Sequence, residues 1–125
     1  MYQVTVQVEI AAAHQLRDYE GEGARVHGHT WQIEVTVRGN DLDPQGMLID
    51  FRKLKQLVNL VVAGYDHSLL NDVPPFDRVT PTAENLAKKI FEDIEARLEA
   101  PGVILEKVTV RESPRAWATF RRDGQ

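Results

Sequence analysis

The sequence predicts a single α+β domain with elements in the order β, β, α, α, β, β. Three observations carry that prediction. Residues 2–14 and 27–39 alternate apolar and polar side chains, the period of a strand with one buried face. Residues 50–64 and 82–99 change to the spacing of an amphipathic helix. Alternation then returns at 103–112 and 116–122. A chain of 125 residues is the size of one domain and can bury a sizeable core without staples.

In the first strand Tyr2, Val4, Val6, Val8, Ile10 and Ala12 take one face, and His14 is the next residue on it. Residues 15–26, rich in charge and glycine, read as a loop. In the second strand His27, His29, Trp31, Ile33, Val35 and Val37 share a face, and Gly39-Asn40 signals the turn that ends it. Phe51, Leu54, Leu57, Val58, Val61 and Val62 form the stripe of the first helix, with Asp50 as its N-cap. Residues 66–81, containing Pro74-Pro75, read as a loop. The second helix carries Ala83, Leu86, Ala87, Ile90, Phe91, Ile94 and Leu98 as its stripe and ends at Pro101-Gly102. In the third strand Ile104, Val108 and Val110 share a face interrupted by Glu106, and Glu112 follows on that face. Ser113-Pro114-Arg115 turns the chain into the last strand. The expected sheet is four-stranded and antiparallel, with both helices on one face. Its two open edges call for a partner, and pairing between subunits would continue the sheet around a ring.

Composition excludes several classes. The chain has no cysteine, hence no disulfide framework, thiolate metal site or thiol nucleophile. A net charge of −4 argues against non-specific nucleic-acid binding. No apolar run is long enough for a membrane helix, and the alternating start MYQVTVQVEI is unlike a signal peptide. A cytoplasmic protein is the expectation.

Chemistry concentrates in the histidines. Residues i and i+2 of a strand point the same way, so His27 and His29 project together. In an antiparallel hairpin the end of the first strand, at His14, adjoins the start of the second. Three imidazoles on the inner face at one end of a hairpin describe a catalytic zinc site with a position open for substrate, and three hydrogen-bonded core histidines are the alternative. Imidazole also suits iron and nickel. Asp66-His67 follows the first helix, and a carboxylate beside an imidazole raises its basicity for proton transfer; a surface pair is the alternative. Glu112 either ends its strand in solvent or receives donors from a ligand. Thr82 most simply caps the second helix, whose first N–H groups can also meet a ligand.

Six motifs in order then point to a family. They are Ala12-Ala13-His14, His27-Gly28-His29, Leu48-Ile49-Asp50-Phe51, Asp66-His67 followed by Leu70-Asn71-Asp72, Pro81-Thr82-Ala83-Glu84-Asn85-Leu86, and Val110-Arg111-Glu112. Over nearly its whole length the chain resembles the 6-pyruvoyltetrahydropterin synthase and 6-carboxytetrahydropterin synthase family, and residues 1–125 are read as a single domain of that kind. The resemblance implies the tunnelling fold, in which three subunits close a twelve-stranded barrel, two rings stack into a hexamer, and active sites form between subunits. It implies a lyase acting on 7,8-dihydroneopterin triphosphate, with zinc on His14, His27 and His29. Glu112 would anchor the pterin, Thr82 would lie in the substrate site, and Asp66 and His67 would relay protons. The 6-carboxy branch, leading toward queuosine, is the nearer expectation, and the 6-pyruvoyl branch leads toward tetrahydrobiopterin.

One position departs from the pattern. The family carries a cysteine base four residues before the first histidine of His-Gly-His, and Gly23 stands there. Glu22, its neighbour, is one candidate replacement, and His67 with Asp66 working alone, more slowly, is another. Some family members use a glutamate near this position to cleave the pterin side chain for folate synthesis, although Ala24 does not match that pattern cleanly. A module that holds zinc and a pterin without turnover is a further alternative.

Overall fold

The structure, a computed structural model, describes residues 1–17, 21 and 24–124. Its elements are β1 (Tyr2–His14), β2 (His27–Gly39), α1 (Phe51–Val62), β3 (Ser68–Leu69), a 3-10 turn (Leu70–Asp72), α2 (Ala83–Arg97), β4 (Ile104–Ser113) and β5 (Ala116–Phe120). The sheet order is β3-β1-β2-β4-β5. The long strands pair antiparallel as expected, and β1 faces β2 from Tyr2 opposite Gly39 to His14 opposite His27.

Two expectations are corrected here. The sheet has five strands, because the backbone of Ser68 and Leu69 runs parallel to Ala12 and Ala13 at the edge of β1. Two residues are too few to show a period, so this strand is made by docking. Ala11 holds it: its N–H donates to Asp66 Oδ1 at 2.9 Å, and its carbonyl accepts the His67 N–H at 2.6 Å. The second correction concerns the inner face of β4. Thr36 opposes Lys107 but Val37 opposes Leu105, so Glu106 is the extra residue of a β-bulge. The bulge shifts the phase: Leu105 is buried, whereas Ile104 is 45% exposed and does not share the face of Val108 and Val110. Glu106 points instead to polar partners, accepting a hydrogen bond from Gln3 Nε2 at 2.7 Å.

Both helices lie on one face. α1 packs against β1 and α2 across β4 and β5, and the helices also touch each other. Asp50 caps α1 by accepting the Arg52 N–H at 2.8 Å, and Thr82 Oγ1 caps α2 by accepting the Asn85 N–H at 3.1 Å. The core joins the inner faces of the strands, including Val6, Ile10, Trp31, Ile33 and Val110, to Leu54, Val58, Leu86, Ile90 and Phe91 of the helices. The other face of the sheet is polar. It carries hydroxyl pairs across strands, Thr5 with Thr36 and Thr109 with Thr119, each at 2.8 Å, and Arg111 stacked over Trp117 at 4.1 Å. Among the described residues no helix is long and apolar enough to cross a membrane.

Candidate metal centre

The strand phase that buries Ile10, Ala12 and Trp31 also brings the imidazoles together. His14 ends β1 fully buried, His27 lies directly opposite it, and His29 is one pleat along β2. The rings of His14, His27 and His29 lie 4.5–5.1 Å apart, centroid to centroid, all edge to face. Trp31 forms the floor, with its ring 4.9 Å from His14 and 5.2 Å from His29 and its indole N–H on the Ala12 carbonyl.

The hydrogen bonds behind the rings decide what the front can do. His14 Nδ1 lies 2.8 Å from the Pro81 carbonyl and His27 Nδ1 lies 2.7 Å from the Arg25 carbonyl. A carbonyl only accepts, so each Nδ1 must carry the proton and donate it. In the neutral rings both Nε2 atoms then present lone pairs, yet they face each other at 3.0 Å. Two lone pairs at that separation repel unless a cation lies between them. A backbone partner on the far nitrogen is also how proteins orient histidine ligands.

Glu112 completes the group. Its Oε1 lies 3.2 Å from His14 Nε2 and 3.2 Å from His29 Nε2. His29 Nε2 is buried with no aligned hydrogen-bond partner, since the carboxylate is close but not in hydrogen-bonding geometry. Burial pushes the His29 imidazole below its ordinary pKa, and the neighbouring His14 and His27 act the same way against the opposing pull of Glu112. The neutral ring is the form that binds metal. One donor atom from each of His14, His27, His29 and Glu112 lies within 4.8 Å of the others. Donors around a tetrahedral zinc stand about 3.3 Å apart, from bond lengths of roughly 2.0–2.1 Å. The donor set and its spacing therefore fit a divalent metal. Strand phase placed Glu112 on the right face, but its arrival as a fourth donor was not anticipated.

The other candidates lie elsewhere on the chain. Asp66 and His67 sit at the outer edge of β1, with His67 Nδ1 2.9 Å from Asp66 Oδ1. The Ala11 N–H, and His67 beside it, hold the Asp66 carboxyl below its usual pKa. His67 adopts a left-handed backbone (φ 58°), uncommon for a side-chain-bearing residue, and its ring is exposed. His67 lines a shallow depression of about 420 Å3 with Ala11, Ala13, Gly28 and Thr30, on the sheet face opposite the one from which the imidazoles project. On the other side a groove of about 370 Å3 is lined by Ala83, Glu84, Glu112, Ala116, Trp117 and Thr119. Thr82 uses its hydroxyl as the α2 cap, next to the first residues of that groove. Glu22 and Gly23 lie outside the described residues.

A comparison with known families and structures now has a site to refer to. The model of the family described as 6-pyruvoyl tetrahydropterin synthase matches residues 3–123. The chain belongs to the 6-pyruvoyl tetrahydropterin synthase family. It is 38% identical over 129 aligned positions to 6-carboxy-5,6,7,8-tetrahydropterin synthase of Bacillus subtilis, covering 96% of this chain and 85% of that one. It is 40% identical over 87 residues to dihydroneopterin monophosphate aldolase of Pyrococcus furiosus, covering 70% of this chain and 69% of the relative. The solved 6-pyruvoyl tetrahydropterin synthase of Caenorhabditis elegans superposes with a TM-score of 0.83 at 31% identity, covering 98% of each chain. The resemblance expected from the six motifs, the tunnelling fold and the lyase class are thereby established.

Within this family fold, Asn71 has a physical task of its own. Its side-chain amide bonds both backbone groups of Gln15, accepting the N–H at 2.8 Å and donating to the carbonyl at 2.9 Å. That pairing extends β1 by one residue beyond its last ladder partner and fixes the backbone immediately after His14. Asn71→Ala is expected to cost about 1–2 kcal/mol of stability, the net value of two exposed hydrogen bonds. Where His14 serves as a zinc ligand, the same variant should also lower zinc affinity. Urea unfolding and a zinc titration check both, and a variant unchanged in each would remove this role.

Proposed function

We propose that this protein is a zinc-dependent lyase acting on 7,8-dihydroneopterin triphosphate, closest in chemistry to 6-carboxytetrahydropterin synthase. The observation that carries the metal is the pair of Nε2 lone pairs facing each other at 3.0 Å with both Nδ1 atoms committed to carbonyls. Similarity over 96% of the chain to the Bacillus subtilis enzyme supports the branch.

In this reading His14, His27 and His29 hold the ion, with Trp31 packed behind two of the rings. Bound zinc would supply Lewis acidity toward the side-chain hydroxyls of the substrate. Glu112 reaches the groove beside β5 and accepts the amino group and ring N–H of the pterin, a two-point pairing that carboxylates favour. Thr82 holds the start of α2 so that Ala83 and Glu84 line the same groove. His67, with Asp66 beside it, is the proton-transfer pair of this reading.

The ladder supports assembly as well. β3 covers β1 only at Ala12 and Ala13, and β5 ends the sheet on the other side. Pairing these edges between copies would give the three-subunit barrel, and stacking two barrels the hexamer. Light scattering should read the mass of six chains, and a monomer in solution would oppose this assembly.

The absence of cysteine and the similarity to the Pyrococcus furiosus aldolase favour a second reading, in which Glu22 is the base and the pterin side chain is cleaved between carbons for folate synthesis. Incubation with 7,8-dihydroneopterin triphosphate, followed by chromatography with and without chelator, tests both. Chelator-sensitive loss of the triphosphate supports the synthase reading. A 6-hydroxymethyl product supports the cleavage reading. Pterin binding without any product would defeat both and leave a binding module.

A further inference from the structure

We propose that Glu112 is an exchangeable metal ligand, bound to the ion while the pterin groove is empty and released from it when a pterin arrives. The inference rests on the zinc reading and adds to it a coupling between the two sites.

Glu112 belongs to both sites at once. Its Oε1 lies 3.2 Å from two of the imidazole nitrogens, while the residue lines the groove with Glu84 and Trp117. Its inward face follows from the phase of Val108 and Val110, and a second β-bulge removes its backbone partner on β5. Arg111 opposes Trp117 but Ser113 opposes Ala116, which leaves Glu112 as the extra residue of β4. A bulge frees a residue from the ladder. Here the side chain is a third exposed and carries no hydrogen bond to a protein donor among the described residues, so little holds it in place apart from the cluster it faces.

The electrostatics favour a metal bond in that position. With His14 locked as the Nδ1–H tautomer, the carboxylate oxygen faces its Nε2 lone pair at 3.2 Å, a repulsion that an ion of charge +2 turns into shared coordination. A pterin offers the carboxylate two N–H donors from the groove side. In this proposal, turning both oxygens toward the pterin edge takes the carboxylate out of line with the imidazole nitrogens and off the ion; an oxygen that kept its metal bond through the second lone pair would leave the Co2+ bands unmoved by the pterin. The departure frees one coordination position when the substrate ring is seated, with no proton transferred and no change in charge on the protein. Metal and pterin ring would then oppose each other by equal factors, as linkage requires. A side-chain hydroxyl that takes the freed position would cancel the opposition.

The experiment uses the full-length protein loaded with Zn2+ or Co2+ and a pterin that lacks the 6-side chain. Glu112→Gln is expected to raise the Kd for zinc at least ~10-fold, since removing even an outer partner of a metal ligand costs roughly 10- to 100-fold. The visible bands of the Co2+ form should shift in the variant. Adding the side-chain-free pterin to wild-type Co2+ protein should produce the same shift, and this second measurement needs no variant. Zinc affinity unchanged within about twofold, with identical Co2+ spectra and no response to the pterin, would overturn the proposal and leave the three-histidine site standing. Wild-type protein that takes up no more zinc than His29→Ala would overturn the site and this proposal together.

Discussion

His29→Ala is expected to reduce zinc from a stoichiometric to a trace component of the loaded protein. The three imidazoles are unequal in what their removal would mean. His14 is fully buried against Trp31, so deleting it opens a cavity and confuses lost packing with lost coordination. His27 shares its role with a carbonyl bond in the loop at Arg25. The His29 side chain is 23% exposed, and its Nε2 has no aligned partner in the protein. Truncating it removes an unsatisfied buried nitrogen, so the metal-free fold should lose little, whereas metal affinity should fall by more than ~100-fold, beyond the cost of any outer partner. Elemental analysis after zinc loading and desalting checks the first part, and thermal unfolding of the metal-free protein checks the second. Stoichiometric zinc in the variant would mean that these imidazoles do not form the site.

The contrast between the histidines and Glu112 shows where sequence stops being readable. His14, His27 and His29 were placed correctly because each sits on a strand whose alternation is unbroken up to that residue. Phase alone is then enough to aim a side chain. β4 is broken twice, at Glu106 and at Glu112, and a bulge arises from how two strands pair rather than from either strand's own pattern. The first bulge moved Ile104 to the outside, against the alternation. At the second, Glu112 keeps the inward phase of Val108 and Val110 and loses only its partner on β5, so phase indicated its face but not its approach to the imidazoles. β3 was invisible for a related reason. Its two residues are positioned by Asp66 and His67 gripping the Ala11 backbone, and the left-handed turn at His67 leaves no trace in composition. The helices, by contrast, needed only their stripes and the caps Asp50 and Thr82, all of which are local.

Gly23→Cys is expected to raise formation of the synthase product by ~100- to 10,000-fold, the usual contribution of a positioned general base. The argument starts from what the chain already supplies: a converging donor set, a groove reached by Glu112, and the Asp66–His67 pair beside β1. A glycine contributes none of the proton transfer that the family assigns to this position. Ala24 is tied close to the imidazole cluster, since Gln15, next to His14, donates from Nε2 to its carbonyl at 2.7 Å. A thiol at position 23 would be the only one in the molecule, which gives the experiment an internal control. Alkylation should abolish the gain and leave wild-type protein untouched, and Gly23→Ser should not reproduce it. The rate should also acquire a limb set by thiolate formation, below the ordinary value of about 8.5 if the cationic centre lies close. Glu22→Gln separates the two chemistries. If Glu22 is the native base for side-chain cleavage, that variant loses the 6-hydroxymethyl product while Gly23→Cys redirects the same scaffold toward the synthase product. No gain from the thiol, with zinc bound and the fold intact, would mean that the missing cysteine is not what separates this protein from the synthase reaction.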